Sequence, residues 1–197
     1  VVLVLLNADT KLFKETEQLF KISFKDAIEL SYLGASVIHP KTIKPLQNKG
    51  IPLSIRSFLN DSQKGSVISN NGENDRDIPS FIFKPNQLLI SISTKDYSFI
   101  FEDHISELFR LFAEVGLKVH LMQNSALNFS ICGHIKTPLL PKLLSSLNEK
   151  YVVKYNEKVD LLSIRNYKDF ELPDIVKNQE ILIQQRSRST IRYVFKK

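Results

Sequence analysis

The residues of this chain with the most chemical promise lie in a short turn from Asp96 to His104. The turn precedes an amphipathic run, and the first backbone N–H groups of a helix have no partner inside that helix. Such groups attract a carboxylate. Asp96, Ser98, Phe101, Asp103, His104 and Ile105 border this helix start. A second polar turn, Gln123-Asn124-Ser125, ends a strand that contains Val119 and His120. If two such units pair side by side, the helix start of one can face the strand and turn of the other. Backbone N–H groups would then hold the carboxylate of a small amino acid. Asn, Gln or Ser would take its ammonium group and side chain. An ordinary structural turn is the competing reading of the same residues.

Other chemistries have less support. The sequence contains neither G-x-x-x-x-G-K-[ST] nor G-x-G-x-x-G, and its six glycines leave little for a phosphate cradle. No cysteines and histidines stand at zinc spacing, so no metal site is expected. His39, His104, His120 and His134 are scattered and read as surface or hydrogen-bonded residues. Cys132 is the single cysteine, which excludes a disulfide framework within the chain. It ends an alternating strand on the side opposite to Ile131 and reads as a packing residue rather than a nucleophile.

The elements that must position these residues follow from periodicity. A composition break from Asn60 to Ser80, most polar between Asn70 and Pro79, divides the chain. Before it, strand and helix alternate: a strand over Val1 to Leu6, a helix capped by Ser23 with Asp26 three residues on, and a stop at Gly34. A short extended piece, Ser36 to Ile38, leads to a helix over Thr42 to Lys49 closed by Gly50, then a strand over Ile51 to Phe58. That segment reads as the end of a larger α/β layer.

After the break, Leu88, Ile90 and Ile92 mark a strand. Ile105, Leu108, Phe109, Phe112 and Val115 mark the apolar face of a helix from about Asp103 to Val115. Strands follow over Leu117 to Met122, with Leu117, Val119 and Leu121 inward, and over Leu127 to Cys132. Thr137 is placed to cap a helix whose stripe is Leu140, Leu143, Leu144 and Leu147, and Tyr151 to Tyr155 is a fourth strand. The order β-α-β-β-α-β is that of a ferredoxin-like α+β module. A partial repeat follows: a strand over Asp160 to Asn166, a short helix over Leu172 to Asn178, and a hairpin of Ile181 to Arg186 with Thr190 to Phe195. The division expected is therefore 1–69, a linker at 70–80, a first module at 81–156 and a second, incomplete one at 157–197.

The 197 residues carry a net charge of +6. A basic balance raises a nucleic-acid partner, but the lysines are dispersed. The dense group Arg186, Arg188 and Arg192, with Lys196 and Lys197, reads as a solvated hairpin face. No apolar run is long enough to span a bilayer, so neither nucleic acid nor membrane is expected as a partner, and a cytoplasmic location is. The sequence opens inside a strand without an initiator methionine, which reads as a piece of a longer chain.

Leu30 to Asn60 resembles the end of the kinase domain of the aspartate kinases. The family's Gly-Ala-x-Val-[LI]-His-Pro run stands here as Gly34-Ala35-Ser36-Val37-Ile38-His39-Pro40, and its [IV]-Pro-[LV] strand as Ile51-Pro52-Leu53. Lys64-Gly65-Ser66-Val67-Ile68 is similar to its Gly-Thr-x-Ile ending, and Asn7-Ala8-Asp9-Thr10-Lys11 to its Thr-x-Asp-Pro-Arg segment. The resemblance implies an amino-acid-kinase end followed by ACT modules of the βαββαβ order. It also implies a parent enzyme that uses ATP and Mg²⁺ to phosphorylate the β-carboxylate of L-aspartate, opening lysine, threonine and methionine synthesis.

Lys11, Ser36 and Val37 would lie near the nucleotide. Asp96, Ser98, Phe101, Asp103, His104, Ile105, Val119, His120, Asn124 and Ser125 would meet a feedback amino acid, lysine or threonine, in a homodimer of ACT modules. The sequence departs from the pattern where Thr10 replaces Pro, Lys11 replaces Arg, and Ser36 stands where many members have Lys. His120 stands where some lysine-sensing members have an acid. The family's Lys-x-Gly-Gly motif and aspartate-binding acids are absent, so these residues alone are expected to be catalytically inactive, with no cofactor bound. A stand-alone amino-acid-binding ACT protein and, after it, a basic nucleic-acid binder are the alternative readings.

Overall fold

The computed structural model describes residues 4–35, 38–57, 64–71, 78–167 and 173–196. In chain order the elements are β1 (Lys21–Ser23), α1 (Phe24–Leu33), α2 (Pro40–Lys49), β2 (Leu53–Ile55), β3 (Ser66–Ser69) and β4 (Ser80–Thr94). Then come α3 (Glu102–Glu114), β5 (Lys118–Asn124), β6 (Asn128–His134), α4 (Leu140–Lys150), β7 (Tyr151–Arg165), β8 (Glu180–Arg186) and β9 (Thr190–Lys196). Two compact units result. One gathers Val1–Lys84 with Leu162–Tyr193, the other Pro85–Leu161 with Val194–Lys197.

In the first unit, β3 is the central strand of three, parallel to β1 and antiparallel to β2. Helix α1 starts where the sequence says it should. Ser23 Oγ accepts the Asp26 N–H at 3.0 Å and donates to the Asp26 carboxylate at 2.6 Å, a serine N-cap held in place by the side chain three residues on. Gly34, at φ 113°, ends the helix by giving its N–H to the carbonyls of Leu30 and Ser31, a left-handed stop that glycine takes without strain. His39 Nδ1 caps α2 by accepting the Lys41 N–H at 3.2 Å. Phe24, Ala27, Leu30 and Leu33 form the buried face of α1 and share one core with Leu19, Ile22, Ile43 and Ile68. The end of β7 belongs to this unit. There Arg165 donates from Nε and Nη2 to Asp26 Oδ1 at 3.1 and 2.6 Å.

The second unit has the β-α-β-β-α-β order, with strands arranged β5-β6-β4-β7. That is the ferredoxin-like arrangement expected. β6 pairs antiparallel with β4, setting Ile90 against Ile131 and Ile92 against Phe129. Leu108 and Phe112 of α3 and Leu140, Leu143 and Leu147 of α4 close the core over that face.

Several expected elements differ. Val1 to Leu6 is not a strand over its described part: Leu6 makes a single bridge to Gln18, while Leu5 gives its N–H to the Ser66 hydroxyl. The strand expected from Ile51 is confined to Leu53–Ile55, since Pro52 brings no N–H to a ladder. Thr137 does not cap α4 but opens a 3-10 turn, Thr137–Leu139, that leads into it. Residues 173–177 form tight turns, with Val176 and Lys177 bonded back to Pro173, rather than a helix.

The two strands expected at Tyr151 to Tyr155 and Asp160 to Asn166 are one, β7. The polar run between them stays extended, and Lys158 takes a positive φ of 56° without turning the chain back. In β5 a register shift falls between Val119 and Leu121. Val119 therefore faces the helices, whereas Leu121 pairs with Cys132 and lies on the other face, not inward as expected. Such a bulge inverts every side chain beyond it.

Candidate ligand site

The loop before α3 is built from local polar bonds. Asp96 Oδ1 accepts the Ser98 N–H at 3.1 Å and its hydroxyl at 2.7 Å. Tyr97 between them sits at φ 60°. Thr94 donates its hydroxyl to the Ser98 carbonyl at 2.6 Å. The Ser98 hydroxyl and amide hold the Asp96 carboxyl below its usual range. The loop then passes Ile100, which is buried and donates its N–H to the Ala126 carbonyl at 2.9 Å. That bond ties the helix start to the turn between β5 and β6. Phe101 precedes α3, and its N–H is accepted by His104 Nδ1 at 3.3 Å.

A cleft of about 420 Å³ opens beside this loop, lined by Thr94, Lys95, Asp96, Ser98, His104, Glu107, Lys150 and Tyr151. Its floor is an ion-pair network. Glu107 accepts from Lys150 and, at 3.2 Å, from the Tyr151 hydroxyl. Lys150 holds the Glu107 carboxyl below the usual range. Burial, reinforced by the negative charge of Glu107, pushes the Tyr151 hydroxyl up to about 12. Lys95 reaches the last turn of α4 and donates to the carbonyls of Asn148 and Glu149 at 2.8 and 2.9 Å, where a cation complements the helix dipole. The cleft thus offers anionic and cationic groups together, suited to a small zwitterion.

Of the residues singled out in the sequence, Asp96, Ser98 and His104 line this cleft. Phe101 and Asp103 are exposed beside it, Phe101 forming an edge-on pair with exposed Phe99 at 5.8 Å. Ile105 and Val119 are half-buried against the core. Asn124 and Ser125 are exposed, and the Ser125 hydroxyl accepts the Asn128 N–H at 3.1 Å within its own turn. His120 is half-buried at the register shift of β5. Val119 and Asn124 are five residues apart on one strand, about 16 Å at strand spacing. Within one copy, therefore, the strand residues and the helix start do not converge on a single point.

Sequence reasoning missed Thr94, Lys95, Glu107, Lys150 and Tyr151. Glu107 lies three residues after His104 on the same helix face, a signal that was available. The Lys150 and Tyr151 contacts join residues more than forty apart, at separations of 43 and 44, and periodicity does not carry that.

In the first unit, Ala8, Asp9, Thr10, Gly34 and Ala35 line a cleft of about 380 Å³. Lys11 is exposed on the adjoining turn, its N–H bonded to Asp9 Oδ1 at 2.9 Å. Ser36 and Val37 lie outside the described residues. Among the described residues no group of three or more His, Cys, Asp or Glu is placed to hold a metal, and no helix is long and apolar enough to cross a membrane.

Known proteins resemble the chain in both sequence and fold. No protein-family model matches it. Its curated relatives are aspartokinases and bifunctional aspartokinase/homoserine dehydrogenases. The bifunctional aspartokinase/homoserine dehydrogenase 2 of Zea mays, a chloroplastic protein, is 27% identical over 150 residues, covering 74% of this chain and 16% of that protein. The chain thus spans less than a quarter of the length of these relatives, which it covers by 14 to 23%. Among solved structures, an aspartate kinase of Clostridium acetobutylicum superposes with a TM-score of 0.80 at 18% identity, over 98% of this chain and 48% of that one. Aspartokinase III of E. coli, solved in complex with lysine and aspartate in its T-state, superposes with a TM-score of 0.76 at 19% identity, over 98% of this chain and 46% of that one. These likenesses establish the fold of both units.

Proposed function

We propose that this relative of the aspartokinases is the C-terminal regulatory portion of an aspartate kinase, and that its βαββαβ unit binds a feedback amino acid. Residues 1–69 are then the end of a kinase domain, 70–80 a linker, 81–156 a first ACT module and 157–197 a second, incomplete one. The parent reaction is transfer of the ATP γ-phosphoryl group to the β-carboxylate of L-aspartate. The residues present do not make that site. What the first unit offers a nucleotide among the described residues is the Ala8–Thr10 turn, the Gly34–Ala35 backbone and exposed Lys11. Phosphoryl transfer needs a cationic clamp and Mg²⁺ on the phosphates, so no catalytic step is assigned to these residues.

The observation that carries the sensing role is the bond from Ile100 N–H to the Ala126 carbonyl. It holds a helix start, with its outward N–H groups, against a polar turn at the end of β5, an edge strand of its sheet. An edge strand is open to a second copy, and that copy completes a site for a free amino acid. Lysine is the first ligand to try, given the complex recorded for the E. coli protein. Threonine and methionine follow as the other products of the proposed pathway.

Thermal denaturation with each amino acid in turn tests the reading. A ligand at a hundred times its dissociation constant adds about 2.7 kcal/mol. An unchanged melting temperature with lysine, threonine and methionine would end the sensing proposal for these residues.

A further inference from the structure

The three-stranded sheet of the first unit has Ile22, Ile68 and Leu53 in one row, and these belong to the core. The adjacent row is Lys21, Val67 and Ser54, and the pleat turns it to the opposite face. Where β1 and β3 start, a cavity of about 470 Å³ opens, lined by Phe20, Lys21, Arg56, Lys64, Gly65 and Val67 among others. It shares no lining residue with the cleft at Ala8–Thr10.

Backbone contacts fix its walls. Val67 gives its N–H to the Phe20 carbonyl at 2.8 Å, and Gln18 Nε2 donates to the Lys64 carbonyl at 2.8 Å. At Gly65 a Cβ would lie 2.2 Å from the Ile55 carbonyl oxygen and 2.6 Å from Arg56 Cγ. Glycine is what lets the two backbones run this close, and it seats the stem of Arg56 beside the cavity.

The lining divides by chemistry. Phe20 is 48% exposed, although Leu19 and Ile22 near it are buried. With half-buried Val67 it makes an apolar wall. Lys21, Arg56 and Lys64 are exposed cations on the same cavity, and no carboxylate stands among its described lining residues. Charges of one sign gathered in a cleft with apolar walls focus their field on a counter-ion. Exposed apolar surface beside them gains by being covered. The volume is that of a small-molecule site.

We propose that this cavity binds a small organic anion: an aromatic body lies against Phe20 and Val67, and its phosphate or carboxylate is taken by Lys21, Arg56 and Lys64. The site lies wholly within the first unit and does not depend on the sensing role.

NMR titration of the isotope-labelled chain with phenyl phosphate and with phenylacetate tests it, and the pair distinguishes a phosphate ester from a carboxylate. At least one of them is expected to shift the amides of Phe20, Lys21 and Gly65–Val67 saturably, with a dissociation constant on the order of a few millimolar or tighter. Inorganic phosphate and phenol each carry half of that chemistry and should bind about tenfold more weakly or less. Arg56→Gln and Phe20→Ala, both at exposed positions, should each weaken the probe about threefold or more while the rest of the spectrum is retained. Unchanged affinity in either variant overturns the assignment, as do shifts confined to other residues. Inorganic phosphate binding as well as phenyl phosphate would mark an unselective cationic surface, and phenol binding as well would mark an apolar hollow alone. Either result, or no binding of both probes, ends the proposal and leaves the sensing role untouched.

Discussion

Arg165 and Asp26 are 139 positions apart, and their side chains are only 10% and 11% exposed. Charges at that depth cost several kcal/mol each to desolvate, and they are tolerated because each answers the other. Removing one should hurt more than removing both. Arg165→Met is expected to cost about 3–5 kcal/mol, read from urea denaturation. Adding Asp26→Leu should recover much of that loss, and equal stability of the single and double variants would mean the pair is not the electrostatic unit described.

Tyr151 supports a second residue-scale prediction. Its folded value of about 12 lies above the 10.0 of a free tyrosine. The folded state thus keeps its proton longer than the unfolded chain does. The resulting stability is whole below about 10 and is lost as pH rises toward 12. Tyr193, also raised by burial, adds in the same direction. The melting temperature should fall between those pH values, and Tyr151→Phe should fall less steeply because the titrating group is gone. Parallel slopes for the two proteins would remove Tyr151 as a cause.

Among the elements, β5 shows where sequence reading reaches its limit. Leu117, Val119 and Leu121 alternate, and simple alternation puts all three inward. The register shift at His120 breaks that rule. Leu121 is 1% exposed on the face it shares with Cys132, while Met122, paired with Ile131, is 53% exposed. Leu121→Ala should therefore cost about 2–5 kcal/mol, and Met122→Ala less than about 1. Chemical denaturation of the two variants checks this, and a larger loss at Met122 than at Leu121 would contradict the burial and pairing described.

Other elements were legible because local physics decides them. The Leu108 and Phe112 spacing gave α3, the leucine stripe gave α4, and Ser23, Gly34 and Gly50 gave the ends of α1 and α2. The unbroken β7 was not legible, since a polar run of Tyr155 to Lys158 looks like a turn unless one sees the neighbouring strands that hold it extended. Three of the eight residues that line the candidate cleft were legible for the same reason. Asp96, Ser98 and His104 are local to one loop, whereas Lys150 and Tyr151 arrive through the packing of α3 and α4.

At the scale of the molecule, the chain does not fold as beads in sequence order. The first unit takes Leu162–Tyr193 from beyond the whole of the second unit's main body. Cutting after Leu161 would leave every core residue from Leu5 to Ile82 in place. It would remove Arg165 from Asp26, and with it the end of β7 and the whole of β8 and β9. On local packing alone, β1 and β3 should survive that cut unchanged. If the returning segment is part of the unit's stability, the loss is at least that of the buried pair, about 3 kcal/mol. That figure corresponds to about a hundredfold faster exchange for amides that open by unfolding of the unit. The expected result is that Ile22 and Ile68, both buried in the three-stranded sheet, lose protection by this factor in a chain of residues 1–161. Full protection there would show that Val1–Lys84 holds itself together, and that Arg165 lies against α1 without supporting it.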